Sequence, residues 1–274
     1  MERVFALALS SCLLAPGARA NSGMALQYTQ DTWPLSIVDR PLVVAPGMTE
    51  IQLNIDQDLS TAAVTGNVHP LTAQLLARYG VSDRIHAVID SIGFCFSDCG
   101  NAGFFQHISG YVGYAWVANQ EMNLVPQIGL ALSKVDQLTS SALLAAVQPS
   151  LEFGWRLTSW LQIFSYAALS LGFAGRDNTP TPDTLALHLE PRIELLPRVT
   201  LAPFIGLVQP LAHTQFYQLP AGLGLYFVAD RAVDLGAAFK FTDIAKRTIV
   251  TPSNSADQGG IGGRSITCFV TVRL

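Results

Sequence analysis

Charge is scarce in this sequence: only 13% of its 274 residues are Asp, Glu, Lys or Arg, where soluble domains carry about 25%. That shortage excludes a disordered chain and a coiled coil. Basic residues are few as well. Sixteen Lys and Arg against twenty Asp and Glu leave a net charge of −4, so nucleic acid is excluded as a partner. An ordinary soluble enzyme is disfavoured too, because half the residues are hydrophobic and mean hydropathy is +0.34. The balance points to a membrane.

Unbroken apolar helices are also missing. Residues 157–175 and 199–229 carry no charge and are long enough to span as helices. The second run, however, contains Pro203, Pro210 and Pro220, which would interrupt a helix repeatedly. What is present instead is a period of two. Residues 50–58, EIQLNIDQD, alternate polar and apolar strictly, which sorts them onto the two faces of a strand. The same alternation recurs along the chain. Thr72, Gln74 and Arg78 oppose Ala73, Leu75 and Tyr79; Gln148, Ser150, Glu152 and Arg156 oppose Val147, Leu151, Phe153 and Trp155. His188, Glu190, Arg192 and Glu194 oppose Leu187, Leu189, Ile193 and Leu195; Asp234 and Lys240 oppose Val233, Leu235 and Phe239. Within these strands no charge falls on the apolar parity. A dry face and a polar face are what lipid outside and water inside a closed barrel require.

Twelve such segments are expected: 49–59, 71–81, 84–96, 107–118, 122–134, 143–158, 161–174, 184–196, 199–210, 215–229, 232–243 and 265–274. Five connections are short, at 82–83, 119–121, 159–160, 197–198 and 230–231. Six are longer, at 60–70, 97–106, 135–142, 175–183, 211–214 and 244–264. The predicted fold is therefore all-β: a transmembrane up-and-down antiparallel barrel of twelve strands, with short periplasmic turns and longer extracellular loops. Tyr79, Trp116, Trp155 and Phe227 share the apolar parity just before short turns, as an interfacial aromatic girdle would.

Before the barrel come two further segments. Residues 1–20, MERVFALALSSCLLAPGARA, read as a secretory signal peptide with a small-x-small cleavage site, so the mature chain would start at Asn21. Removing Glu2, Arg3 and Arg19 leaves 19 acids and 14 bases. Residues 21–48 are too short and Pro-rich for a domain. They stay in the periplasm or enter the barrel mouth as a partial plug. The plug is preferred, because Trp33 and Leu42 to Val44 need a surface to bury on.

The motif WPLSIVDRP at 33–41, followed by PGM at 46–48 and a first strand, carries a resemblance. The chain resembles a bacterial outer-membrane β-barrel protein, and is similar to an uncharacterised barrel group associated with myxobacteria-like genomes. The resemblance covers about 21–274 and implies fold and outer-membrane location, not substrate. Such barrels usually end in an aromatic residue read by the barrel-assembly machinery; this chain ends in Leu274.

The inward parity defines the candidate lumen. It carries Glu50, Asp56, Asp90, Glu152, Glu190, Glu194 and Asp234 against Arg78, Arg84, Arg156, Arg192, Lys240 and Arg273, with His86, His107 and His188 among them. Two readings follow. The charges line a narrow porin-like channel for small solutes, with the densest cluster at 190–194, EPRIE. Alternatively they pair with one another, and the barrel is a non-conducting scaffold acting through its loops. Inward Gly129, Gly154, Gly206, Gly222, Gly224 and Gly236 would leave room and favour the channel.

An enzyme is the third reading. Outer-membrane phospholipases of twelve strands carry a His-x-Ser-Asn-Gly motif, which His107, Ser109 and Gly110 partly match. The Asn is missing, and His107 and Ser109 have lumen parity, whereas bilayer lipid lies outside. The chain is expected not to be an enzyme, and no cofactor or metal is implied. Asp177, Asn178 and Asp183 lack calcium-loop spacing. The expected partners are outer-membrane lipid, the assembly machinery and, for a channel, small solutes. In an oxidising compartment Cys95 and Cys99, four apart in a Gly-rich loop, are expected to form a disulfide, and Cys268 to stay free on the lipid face.

Overall fold

The computed structural model describes residues 28–61, 69–99, 104–133, 144–176, 182–212, 214–251 and 254–274. The signal peptide at 1–20 and the Asp177 and Asn178 pair lie outside the described residues.

Twelve strands form the barrel. They are β1 (Thr49–Asp58), β2 (Leu71–Gly80), β3 (Ile85–Ser97), β4 (Phe105–Tyr114, resumed briefly at Val117–Ala118), β5 (Met122–Ser133) and β6 (Leu144–Thr158). Then come β7 (Leu161–Ala174), β8 (Asp183–Leu196), β9 (Val199–Pro210), β10 (Ala221–Val228), β11 (Val233–Phe241) and β12 (Arg264–Arg273). Each pairs antiparallel with the next, and β12 returns to β1, closing the sheet and removing its edges. A small separate hairpin, Arg247–Thr251 with Asn254–Gln258, sits in the last long loop. No helix among the described residues is long and apolar enough to cross a membrane.

The outer face is as apolar as the alternation requires. Leu53, Ile55, Ile128, Leu130, Leu187, Leu189, Leu223, Leu225 and Leu235 are all exposed. Tyr79, Trp116, Trp155 and Phe227 are exposed at the short-turn end. Cys268 is free and exposed, opposite outward Ile55 in the β1–β12 register.

Two local departures from a plain ladder matter. A bulge in β3 places Ile89 opposite Gly110 and Ser91 opposite Ser109, leaving Asp90 as the extra residue. Asp90 and Ser91 both bond residues of the lumen face, so the alternation flips there. The tenth strand begins at Ala221 rather than near 215, because Thr214–Phe216 form a 3-10 turn. Pro220 has no N–H to give a ladder, although its carbonyl accepts from Gly206 N at 2.7 Å.

Residues 28–48 lie inside the short-turn end. Pro46 bridges Gly80, and Gly47 N donates to Gly80 O at 2.8 Å. A β-carbon on Gly80 would lie 2.0 Å from Ala45 O, so only glycine permits this approach. Trp33, Val44, Ala45 and Met48 bury together beside Tyr28, while Leu42 and Val43 bury against Ala115 and Val125 of the barrel.

Candidate functional site in the barrel lumen

The lumen divides into two halves. In the short-turn half, the N-terminal segment spans from wall to wall. Arg40 clamps Asp234 on β11 with two hydrogen bonds, 2.5 and 2.9 Å. Asp234 is shared with Arg273 on β12, which also donates to Glu50 at 2.8 Å. Asp39 pairs with Arg156 on β6 at 2.7 Å, and the Ser36 hydroxyl donates to Glu194 on β8. Arg231 donates to the Trp33 carbonyl at 2.5 Å. Three strands and the turn before β11 thus grip one short segment. Arg40, Asp234 and Arg273 are each less than a tenth exposed, where a charge persists only when paired and hydrogen-bonded.

Above the segment lies a cavity of about 300 Å³. Its wall holds Glu190 and Arg192, paired at 2.7 Å, with Arg192 also donating to Gln162 at 3.3 Å and stacking 4.2 Å from the centre of the Phe164 ring. Glu190 is also 3.4 Å from His188. Arg78, Glu152 and Tyr226 face the same space.

The long-loop half is different. A second cavity of about 250 Å³ is lined by Asp90, His107, Ser109, Gln148, Tyr166, Ser170 and Thr184 among others. His107 Nε2 meets the Ser91 hydroxyl at 2.5 Å, and Ser109 donates to Asp90 at 3.3 Å. His107 therefore engages the residue that the β3 bulge turned inward, and Ser109 engages a carboxylate. Lys240 pairs with Asp56 at 2.9 Å on the facing wall. Among the described residues no group of three His, Cys, Asp or Glu could hold a metal. Asp183 pairs with Arg176 at 2.8 Å. At this end a disulfide joins Cys95 to Cys99, beside a cluster of Phe94, Phe96, Phe104 and Phe105.

Two expectations need correction. Arg84 does not join the lumen cluster: it lies in the turn before β3, and its guanidinium reaches the hydroxyl of exposed Tyr114 at 3.5 Å. The inward glycines do not leave open room either. Gly222 faces Phe204, Gly236 faces Phe269 and Gly129 faces Tyr111 across the ladder. A β-carbon on Gly236 would lie 2.0 Å from Phe269 Cζ, and one on Gly222 2.5 Å from Phe204 Cζ. Rings cover these glycines, as in other sheets where an aromatic shields a cross-strand glycine. Gly113 under His86 and Gly93 under His107 repeat the device.

Sequence reasoning missed Arg40 as a lumen residue. Its one signal was a charged pair, Asp39 and Arg40, between buried apolar residues. It also passed over the inward tyrosines Tyr111, Tyr166 and Tyr226, whose parity was available.

No protein-family model matches the chain, and no curated protein matches it in sequence. Solved structures do match in shape. The NanC porin aligns with a TM-score of 0.58 and 11% identity, over 81% of this chain and 100% of that one. The KdgM porin aligns at 0.55 and 8% identity, over 81% and 98%. An outer-membrane channel from Pseudomonas putida F1 aligns at 0.54 and 10% identity, over 85% and 97%. At such identities the likeness is one of fold. The chain has the closed, twelve-stranded outer-membrane type of barrel.

Proposed function

We propose that this protein sits in the bacterial outer membrane and works as a narrow porin-like channel for small solutes. The carrying observation is the lumen itself, whose interior holds two cavities of about 300 and 250 Å³, the first ringed by charged side chains. Twelve strands exceed the eight or so that side chains alone can fill. The short turns face the periplasm and the long loops the outside, as in other outer-membrane barrels. Residues 21–48, freed of a signal peptide, act as a partial plug at the periplasmic mouth. The lipid-facing side chains meet the bilayer, and the assembly machinery inserts the barrel. The WPLSIVDRP and PGM motifs belong to this reading as the mark of the myxobacteria-like barrel group.

One observation favours the scaffold as a second reading: Glu190 and Arg192 satisfy each other at 2.7 Å. Conductance in planar bilayers separates the two. The channel predicts small discrete openings, and Arg192→Gln should alter ion selectivity while the fold survives. Silent bilayers with heat-modifiable, folded protein, and an Arg192→Gln variant that melts far earlier, would establish the scaffold instead.

A further inference from the structure

Charges around the cavity above the N-terminal segment do not balance pair by pair. The cavity wall holds four arginines and four carboxylates. Three of each are consumed internally: Arg192 by Glu190, Arg273 by Glu50, and Arg40 by Asp234. Arg78 and Glu152 remain. Arg78 makes no direct ion pair with any described residue but faces Glu152 and Glu50 through space, and the Oε2 atom of Glu152 is buried with no hydrogen-bond partner. Glu152 itself is only 4% exposed.

The ladder explains both vacancies. Glu50 stands between Arg78 on β2 and Arg273 on β12 in register, and it bonds Arg273. The cross-strand neighbours of Glu152 are Val125 and Tyr166, and neither is a cation. A buried carboxylate oxygen without a partner is expensive, and a buried guanidinium held only by charges at a distance is incompletely compensated. One guanidinium and one carboxylate oxygen, neither directly bonded to an opposite charge, therefore face a single cavity of about 300 Å³, against roughly 30 Å³ for one water in the liquid. That is room for a molecule of amino-acid size.

We propose that this cavity is a binding site for a zwitterionic solute of amino-acid type, whose carboxylate meets Arg78 and whose ammonium meets Glu152. This rests on the channel reading and names the class of solute that the channel selects. An anion alone would leave Glu152 unpaired, and a cation alone would leave Arg78 unpaired. A ligand carrying both charges gives each of these groups a direct partner at once. Leu42 and Phe164 supply apolar surface for a side chain.

The test is calorimetric titration of the folded full barrel in detergent with three matched probes. L-leucine carries both charges, leucinamide only the ammonium, and N-acetyl-leucine only the carboxylate. Leucine should bind at least tenfold more tightly than either partner. Arg78→Gln should abolish the advantage over leucinamide, and Glu152→Gln the advantage over N-acetyl-leucine. The three-probe comparison on the unaltered protein decides the matter even where a variant fails to fold. Equal binding of leucine and N-acetyl-leucine would overturn the proposal in favour of an anion site; equal binding of leucine and leucinamide would overturn it in favour of a cation site. Conducting barrels that bind no probe would overturn it while leaving the channel standing. Leucine binding with silent bilayers would keep the site and remove the channel.

Discussion

The two halves of this lumen are built on different principles. Near the short turns, one segment is fastened to the barrel by a buried ion pair, a part-exposed one, two further hydrogen bonds and packed apolar side chains. Near the long loops, hydroxyls, one amide, a histidine and a carboxylate share the lining with alanines and other apolar side chains around open space. The first arrangement resists rearrangement, because opening it strands charges in a dry place. The second tolerates water, because its groups exchange one weak partner for another. A fastened end and a looser end are thus separated along one axis.

The sharpest way to break this contrast is Asp234→Asn. The carboxylate is shared by Arg40 and Arg273, and all three side chains are less than a tenth exposed. Removing it should cost on the order of 3–5 kcal/mol. Most of that loss should fall on docking of residues 28–48, since the β11–β12 ladder is untouched. Limited proteolysis of the folded protein should show cleavage near Arg40, and conductance should rise. If the segment stays protected and the melting temperature is unchanged, apolar contacts alone hold the mouth.

Glycines provide a second, smaller contrast. Gly236→Ala would push a methyl into the Phe269 ring at 2.0 Å, and overpacking of this kind costs about 1–3 kcal/mol. Gly154→Ala meets its nearest neighbours at 3.6 Å, an ordinary contact, and should cost little. Thermal melts of the two variants side by side check this; equal midpoints would show that the Phe269 ring simply swings aside.

Much of the barrel was legible because a strand repeats every two residues. Positions such as Glu152, Glu190 and Asp234 announce their face by parity alone, and the ends of most strands fall within two residues of expectation. Parity failed where geometry is not local. The Asp90 bulge depends on how β3 meets β4, not on the β3 sequence. The rings over Gly222 and Gly236 depend on cross-strand register, which no single strand reveals. Arg84 has the right parity, but the chain is already turning there. The pairing of Arg40 with Asp234 spans 194 residues of sequence, and period-two reasoning has no reach across that distance.

In the long-loop half a smaller effect is expected. Ser91→Ala removes the hydroxyl that meets His107 at 2.5 Å, a loss of about 0.5–1.5 kcal/mol. Protection of residues 28–48 should not change, because the two halves share no ion pair through this contact. Altered proteolysis at Arg40 in this variant would mean that the halves are coupled. Cys95 and Cys99 should appear joined in non-reduced peptides by mass spectrometry, and free thiols at both positions would contradict the structure.

The smallest effect concerns Asp39, at the edge of the paired region. Its side chain is 35% exposed and that of its partner Arg156 28%, so the pair is worth within about 1 kcal/mol. Burial raises the Asp39 carboxyl above its ordinary value, Arg156 opposes the rise, and Glu194 adds to it. A carboxyl raised in the folded state holds its proton there more readily than in the released segment. Docking should therefore gain a little from Asp39 as pH falls from neutral into the range just above the ordinary carboxylate value. Asp39→Asn, already uncharged, lacks that gain. The variant should dock as well as the native chain at neutral pH or slightly better, and the two should converge on acidification. Protease protection of residues 28–48, followed across that range in both proteins, reads the difference directly. If the native chain is instead better protected at neutral pH, the attraction of Arg156 outweighs burial, and Asp39 joins the buried pairs as a true fastener of the mouth.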